Sequence, residues 1–199
     1  VILCGCYLRK LFDEKHFYNP ADTLEKYCKK HHLKFEKISR TNSPKIEDLK
    51  KFEQLQFDYG ISIGNSFISP KILKTAKVSF LNIHHEILPE YTGAQPIIWQ
   101  LYNGNKHSGF TIHEMTPKID EGEIIIQQKT ELKFLQGFKE TIFTNLAKIK
   151  LSSLIALIHF LEGKREKKEV HSQSIRDYYS TPNLSQLFKI WNNFKKAKH

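Results

Sequence analysis

The chain has 199 residues, with 31 Lys+Arg against 21 Asp+Glu for a formal net charge of +10, on a background that is 40% hydrophobic and 12% aromatic. That size and apolar content predict one globular unit and exclude a disordered chain. The charge admits an anionic partner, but only Arg9, Arg40, Arg165 and Arg176 are arginine, so a lysine-rich solvated surface is preferred to nucleic-acid recognition.

Val1–Tyr7 is apolar, continuous and rich in β formers, which predicts a buried strand. It carries no basic leader or small-residue cleavage site, so no secretion signal is read there. Cys4, Cys6 and Cys28 make an odd count, which argues against a disulfide framework and for a reducing, cytoplasmic setting. Without a second pair at zinc spacing they read as core cysteines, and no metal is expected. Pro20 opens a helix through Ala21, Leu24, Tyr27 and Cys28 that ends at His31-His32. Leu33–Ile38 alternates as a strand. Ser43-Pro44 opens a helix with Ile46, Leu49 and Phe52 on one side, and Phe57–Ile63 is a strand ending in the small, polar loop Gly64-Asn65-Ser66. Pro70 starts a short helix through Ala76.

The next strand, Val78–His84, finishes in polar residues. Strands alternating with helices predict a mostly parallel, Rossmann-like α/β sheet flanked by helices, with its ligand crevice beyond the carboxyl ends of the strands. Gly93–Asn103 reads as a helix, Gly93 supplying backbone freedom before Gln95-Pro96. Ser108–Met115 and Glu123–Leu132 read as strands, with Gly122 separating the second from an acidic turn at Asp120. Lys139–Gly163 follows helical spacing, stops at a glycine and is expected to cover one sheet face. Trp99, Tyr102 and Leu154–Leu161 read as core. The apolar run Leu151–Leu161 falls short of the roughly 20 residues a membrane span needs. The chain divides at residue 163, leaving 164–199 as a charged and aromatic extension in which Tyr178 and Tyr179 either stack on a base or pack against the domain.

Asn82 and His84 lie two apart at the end of a strand, so an extended backbone points both to one face. An amide there can donate to an oxyanion, and an imidazole can take a proton from an attacking amine. Asp120, on a turn before a later strand, could orient that imidazole or relay protons through water. Together they suit attack of an amine on an acyl carbon without an acylated Ser or Cys. The bland alternatives are an Asn that caps its turn, a core histidine and an ordinary Asp-Glu-Gly turn. His85 and His113 have no fixed spacing to other ligands and read as structural. No G-x-G-x-x-G or Walker loop is present, which disfavours a nicotinamide or ATP site.

The ordered motifs N-I-H-x-x-x-L-P (Asn82–Pro89), G-A-Q-P (Gly93–Pro96), G-F-T-I-H (Gly109–His113) and I-D-E-G-E-I (Ile119–Ile124) resemble those of the formyltransferases that use 10-formyltetrahydrofolate. That family includes methionyl-tRNA formyltransferase, glycinamide ribonucleotide transformylase and sugar-nucleotide N-formyltransferases. The resemblance extends more weakly over residues 1 to about 163 and makes 1–163 the catalytic domain. It implies that the family's Asn-x-His plus Asp triad falls on Asn82, His84 and Asp120, and that backbone in the loops at the sheet's carboxyl edge holds the folate. By position, Asn65, Ser66 and Phe67 and the turn carrying Pro117, Ile119 and Gly122 are assigned to that pocket. Two positions depart from the pattern. Glu86 stands where relatives commonly have Ser, and Val1 aligns with the relatives' second strand, so the chain is expected to lack the first βα unit, as a fragment, a divergent version or a degenerate copy. The implied function is transfer of a formyl group from 10-formyltetrahydrofolate to an amine on an amino-sugar nucleotide. The 36 residues after Gly163 are too few for the additional domain of the tRNA enzyme. A methionyl-tRNA formyltransferase-like enzyme and a non-catalytic folate- or nucleotide-binding relative are the alternatives; a homodimer is left open and no membrane partner is expected.

Overall fold

The computed structural model describes residues 2–4, 20–36, 38, 41–64, 67–93, 95–164 and 178–198, which fall into two compact units, Val1–Phe80 and Leu81–His199. In the first unit, strand β1 (Ile2–Cys4) pairs in parallel with β2 (Tyr59–Ile63), with Ile2 opposite Ile61. Helix α1 (Pro20–Lys30) starts at proline as expected and ends at a turn where His32 takes φ 54°. Leu33–Glu36 form no strand, and Leu33 is exposed. Helix α2 (Ile46–Leu55) buries Phe52 but leaves Ile46 exposed, so the inward stripe is narrower than its spacing suggests. Ser69 caps the short helix α3 (Pro70–Leu73) by accepting from the Lys71 N–H. Phe57 meets Phe80 edge to face at 5.7 Å, and a Cβ at Gly60 would run into the Phe80 ring.

Strand β3 (Ser79–His84) leads into the second unit, where the pairing changes direction. It runs antiparallel to β5 (His107–Glu114), which in turn runs antiparallel to β6 (Ile124–Glu131). The mostly parallel sheet expected from strand–helix alternation therefore gives way to a mixed one. Between β5 and β6 the physical reason is the connection, residues 115–123, which carries no helix and returns the chain beside itself, whereas a parallel pair needs a crossover of about a dozen residues or more. A Cβ at Gly122 would overlap the Glu114 carbonyl, so only glycine lets this turn close.

The helix expected over Gly93–Asn103 shrinks to α4 (Ile98–Tyr102). Gly93, Gln95 and Ile97 all have positive φ, at 97°, 77° and 73°, and Pro96 disfavours helical backbone at Gln95. Thr92–Gly93 instead form a short strand, β4, parallel to β7 (Tyr178–Tyr179). Tyr179 stacks on Tyr91 with centroids 5.3 Å apart and leans on Trp99 at 4.8 Å, while the Trp99 indole N–H donates to the Ser180 carbonyl. Helix α6 (Leu184–Ala197), opened by an Asn183–Gln186 capping box, packs on α4, and Asn193 donates to the carbonyls of Leu101 and Tyr102. Of the two alternatives for the tyrosine pair, Tyr179 packs inward and Tyr178 is exposed.

Helix α5 (Phe138–Leu161) packs on β5 through Thr141, Asn145, Ile149, Ser153, Ala156 and Leu157, a single stripe at three- and four-residue spacing. It ends in a Schellman turn at Gly163, where the N–H groups of Gly163 and Lys164 reach the carbonyls of Phe160 and His159. By length and composition α5 could cross a membrane, although Leu151–Leu161 alone is too short. Leu154–Leu161 is not core as a run: Leu154, Ile155, Ile158 and Leu161 are exposed and only Ala156 and Leu157 are buried, because the helix is apolar all round and packs along one stripe.

The start of α5 is fixed by Asn145, 1% exposed, which donates to the Lys133 and Thr141 carbonyls and accepts from the Lys133 N–H at 2.7–2.8 Å. Asn145→Ala is expected to cost about 2 kcal/mol, since it removes three hydrogen bonds made by a buried side chain. Urea unfolding measures this, and a loss below about 0.5 kcal/mol would show that water replaces the amide.

Candidate active site

The period-2 geometry of β3 sends Asn82 and His84 to one face, and the antiparallel register sets His113 of β5 opposite Asn82 and Thr111 opposite His84. His84 and His113 are buried, Asn82 is half-buried, and the Asp120 side chain is 8% exposed. Asp120 adopts φ 55°, a left-handed conformation that Asp tolerates, and so points its carboxylate back from the turn. Oδ1 stands 3.9 Å from His84 Nδ1 and 3.6 Å from His113 Nε2, and Oδ2 accepts from the Gly93 N–H at 3.3 Å.

Backbone carbonyls assign the tautomers. The Tyr91 carbonyl lies 2.8 Å from His84 Nε2, so that nitrogen carries the proton and Nδ1 presents its lone pair toward Asp120. The Glu114 carbonyl lies 2.9 Å from His113 Nδ1, which leaves Nε2 of His113 to accept from the Asn82 amide at 3.1 Å. His113 thereby fixes the Asn82 amide with its NH2 toward the site, and the second amide hydrogen is available to a ligand. His113 reads as structural in the sequence, and here that role is exercised inside the site.

Burial pushes the His84 pKa down, against the raising effects of Asp120 and the Tyr91 carbonyl, so the imidazole is neutral at neutral pH. Burial raises the Asp120 carboxyl, but His113 and His84 in their protonated forms, together with the Gly93 N–H, outweigh it and hold the group below its ordinary value. The result is a neutral base beside a carboxylate, with an amide donor at the same mouth.

The residues assigned by position to the folate pocket divide. Pro117 and Ile119 are exposed on the turn that carries Asp120, while Gly122 is buried in the closure of that turn. Phe67 is half-buried in the first unit, where its carbonyl accepts from the Thr41 hydroxyl. Asn65 and Ser66 lie outside the described residues. The contributions of His113, the Tyr91 carbonyl and the Gly93 N–H are absent from the sequence reading. Only the alternation of Phe110-Thr111-Ile112-His113, which puts His113 and Thr111 on one face, hints at the first.

A family model described as formyl transferase matches residues 13–157. The chain belongs to the formyl transferase family. This formyl transferase chain is 32% identical over 159 residues to the methionyl-tRNA formyltransferase of Lactobacillus johnsonii, covering 76% of the chain and 50% of that protein. A shorter stretch of 66 residues is 42% identical to the bifunctional polymyxin resistance protein ArnA of Wigglesworthia glossinidia brevipalpis, covering 33% of the chain and 10% of that protein. The chain spans about half the length of the methionyl-tRNA formyltransferases it matches. Among solved structures it resembles the formyltransferase PseJ from Anoxybacillus kamchatkensis, in complex with UDP-4,6-dideoxy-4-formamido-L-AltNAc and tetrahydrofolate, with a TM-score of 0.55 and 21% identity over 79% of this chain and 80% of that one. A 4-N formyltransferase from Francisella tularensis gives a TM-score of 0.57 at 18% identity, covering 86% and 72%. These likenesses show the mixed, Rossmann-like α/β fold of formyltransferases.

The two histidines at the end of β3, His84 and the following His85, make stability depend on pH. His85 is half-buried, and its pKa falls to about 4 through burial, Lys150 and His84, in that order. Folded pKa values below the unfolded value of about 6.5 mean that the unfolded chain binds more protons in between. Stability is then full above about pH 6.5 and is lost as pH falls toward 4, by about 3 kcal/mol for His85. Thermal unfolding between pH 7 and 4.5 should show this decline, and His85→Gln should flatten it; an unchanged slope would mean that His85 is not held neutral.

Proposed function

We propose that the chain is an N-formyltransferase that moves the formyl group of 10-formyltetrahydrofolate to an amine, with Asn82, His84 and Asp120 as its catalytic residues. The observation that carries this reading is the cluster itself: a neutral imidazole whose free Nδ1 faces a carboxylate 3.9 Å away, beside an anchored amide. The folate supplies the formyl group. As the amine nitrogen bonds to the formyl carbon, the free N–H of Asn82 donates to the formyl oxygen where negative charge builds. His84 Nδ1 takes a proton from the amine, Asp120 stabilises the imidazolium, and the proton returns to the folate nitrogen as its bond to the formyl carbon breaks. The donor set fits this cosubstrate, and the exposed Pro117 and Ile119 offer an apolar rim on the turn bearing Asp120.

The acceptor we favour is a nucleotide-linked amino sugar. What supports it is that structural neighbours such as PseJ hold a UDP-formamido sugar; the Gly93–Gln100 segment resembles both the sugar-nucleotide and the methionyl-tRNA branches. The second reading, formylation of methionyl-tRNA, is favoured by the sequence relatives and by the +10 charge. Release of tetrahydrofolate from 10-formyltetrahydrofolate, followed with amino-sugar nucleotides and with methionyl-tRNA in parallel, separates the two. Formate release without any amine would instead indicate a deformylase.

A further inference from the structure

The loop between β3 and α4 carries two backbone groups that touch the site, the Tyr91 carbonyl on His84 and the Gly93 N–H on Asp120. Its first arm is secured by side chains of β5 and β6. Thr111 donates to the Glu86 carbonyl at 2.8 Å and accepts from the Leu88 N–H at 3.1 Å, and Gln127 donates to the Leu88 carbonyl at 2.7 Å. Its second arm is less comfortable. Gln95 and Ile97 both adopt positive φ, and for a β-branched residue that conformation is costly and persists only where the surroundings enforce it.

What grips the second arm is Glu86. The residue is 4% exposed, Oε1 accepts from the Ile97 N–H at 2.8 Å, and Oε2 accepts from the Gln100 amide and, at 3.5 Å, from the Ser108 hydroxyl. We propose that Glu86 is a positioning residue for the candidate active site: its buried carboxyl closes the Glu86–Ile97 loop and so keeps the Tyr91 carbonyl on His84 and the Gly93 N–H on Asp120. The proposal rests on the catalytic reading above for its kinetic consequence but not for its structural one. The pairing of Gly93 with Tyr179 also supports the loop, yet it acts before the strained residues, whereas Glu86 acts directly on Ile97.

The interaction needs a hydrogen-bond acceptor of the right length, not a charge. Burial pushes the Glu86 acid well above the usual carboxylate range, against the lowering effect of the Ile97 N–H and the Ser108 hydroxyl. Glutamine keeps the oxygen for the Ile97 N–H. Its NH2 would also meet the Gln100 side-chain oxygen after that amide rotates, an atom that is buried without a partner among the described residues.

The test compares wild type, Glu86→Gln and Glu86→Ala in the full chain at pH 7.5, using imidazole nitrogen-15 shifts and formyl transfer from 10-formyltetrahydrofolate to an amino-sugar nucleotide. Wild type and Glu86→Gln should hold His84 as the single Nε2–H tautomer, with turnover of Glu86→Gln within about threefold of wild type. Glu86→Ala should show mixed tautomers, and kcat should fall about tenfold to a hundredfold with KM for the folate little changed, as expected when reacting groups are misplaced but binding is not. If Glu86→Ala does not fold, Glu86→Asp replaces it, since a side chain one methylene shorter keeps the carboxyl but cannot reach Ile97. A single tautomer retained in Glu86→Ala or Glu86→Asp would overturn the proposal, as would a loss in Glu86→Gln equal to that in alanine. If the tautomers mix as expected while wild type formylates neither amine nor tRNA, the positioning role stands and the catalytic reading fails.

Discussion

His84→Ala is expected to lower formyl transfer by about a hundredfold or more, the usual cost of removing a general acid/base, while the protein stays folded. The argument rests on which nitrogen is free. The Tyr91 carbonyl holds Nε2–H, so Nδ1 is the proton acceptor, and it faces Asp120 across 3.9 Å, too far for a direct hydrogen bond but close enough to share a proton donor placed between them. Because burial keeps the imidazole neutral near pH 7, the base form is already dominant there, and the wild-type rate should fall only on the acid side, below the ordinary histidine pKa. His84→Ala should lose that acid limb along with its rate. Stopped-time assays of tetrahydrofolate release across pH 5 to 8, paired with circular dichroism, make the comparison. A loss smaller than about fivefold would assign His84 to packing, because a positioned base contributes far more than that.

Much of this site is legible in the chain because β-strand geometry is local. Asn82 and His84 share a face through the period of two, and the acidic turn at Asp120 is marked by Gly122 and the strand that follows. What decides the chemistry is not local. His113 sits opposite Asn82 only because β5 runs antiparallel to β3, and nothing in one sequence states which strands pair or in which direction. The sheet departs from wholly parallel at the same place, where β5 runs antiparallel to both β3 and β6. Leu33–Glu36 shows the converse: alternation alone predicts a strand, and these residues do not form one. The outward leucines and isoleucines of α5 mislead in a third way, because apolar composition says a helix can be buried without saying which stripe is. Tyr179 and Trp99 meet although they stand 80 positions apart in the chain, a distance at which periodicity carries no information.

Asn82→Ala carries the second large effect, a fall of about a hundredfold to a thousandfold in kcat, the range seen when one oxyanion donor is removed. His113 makes the amide a prepared donor. With its Nδ1–H committed to the Glu114 carbonyl, its Nε2 draws one hydrogen of the Asn82 amide at 3.1 Å, and the orientation of the other follows. A donor fixed in advance costs no reorganisation as charge develops, and its contribution grows in a site where His84, His113 and Asp120 are all buried. Since the hydrogen bond strengthens only as the formyl oxygen becomes negative, KM for 10-formyltetrahydrofolate should change little. Asn82→Asp should be at least as severe, because a carboxylate would face the developing oxyanion with Asp120 already close by. Steady-state kinetics give the split between kcat and KM, and folate binding by calorimetry shows that the site is intact. If wild type and Asn82→Ala are equally silent with every amine while folate binding persists, this chain is a binding relative of the family rather than a transferase.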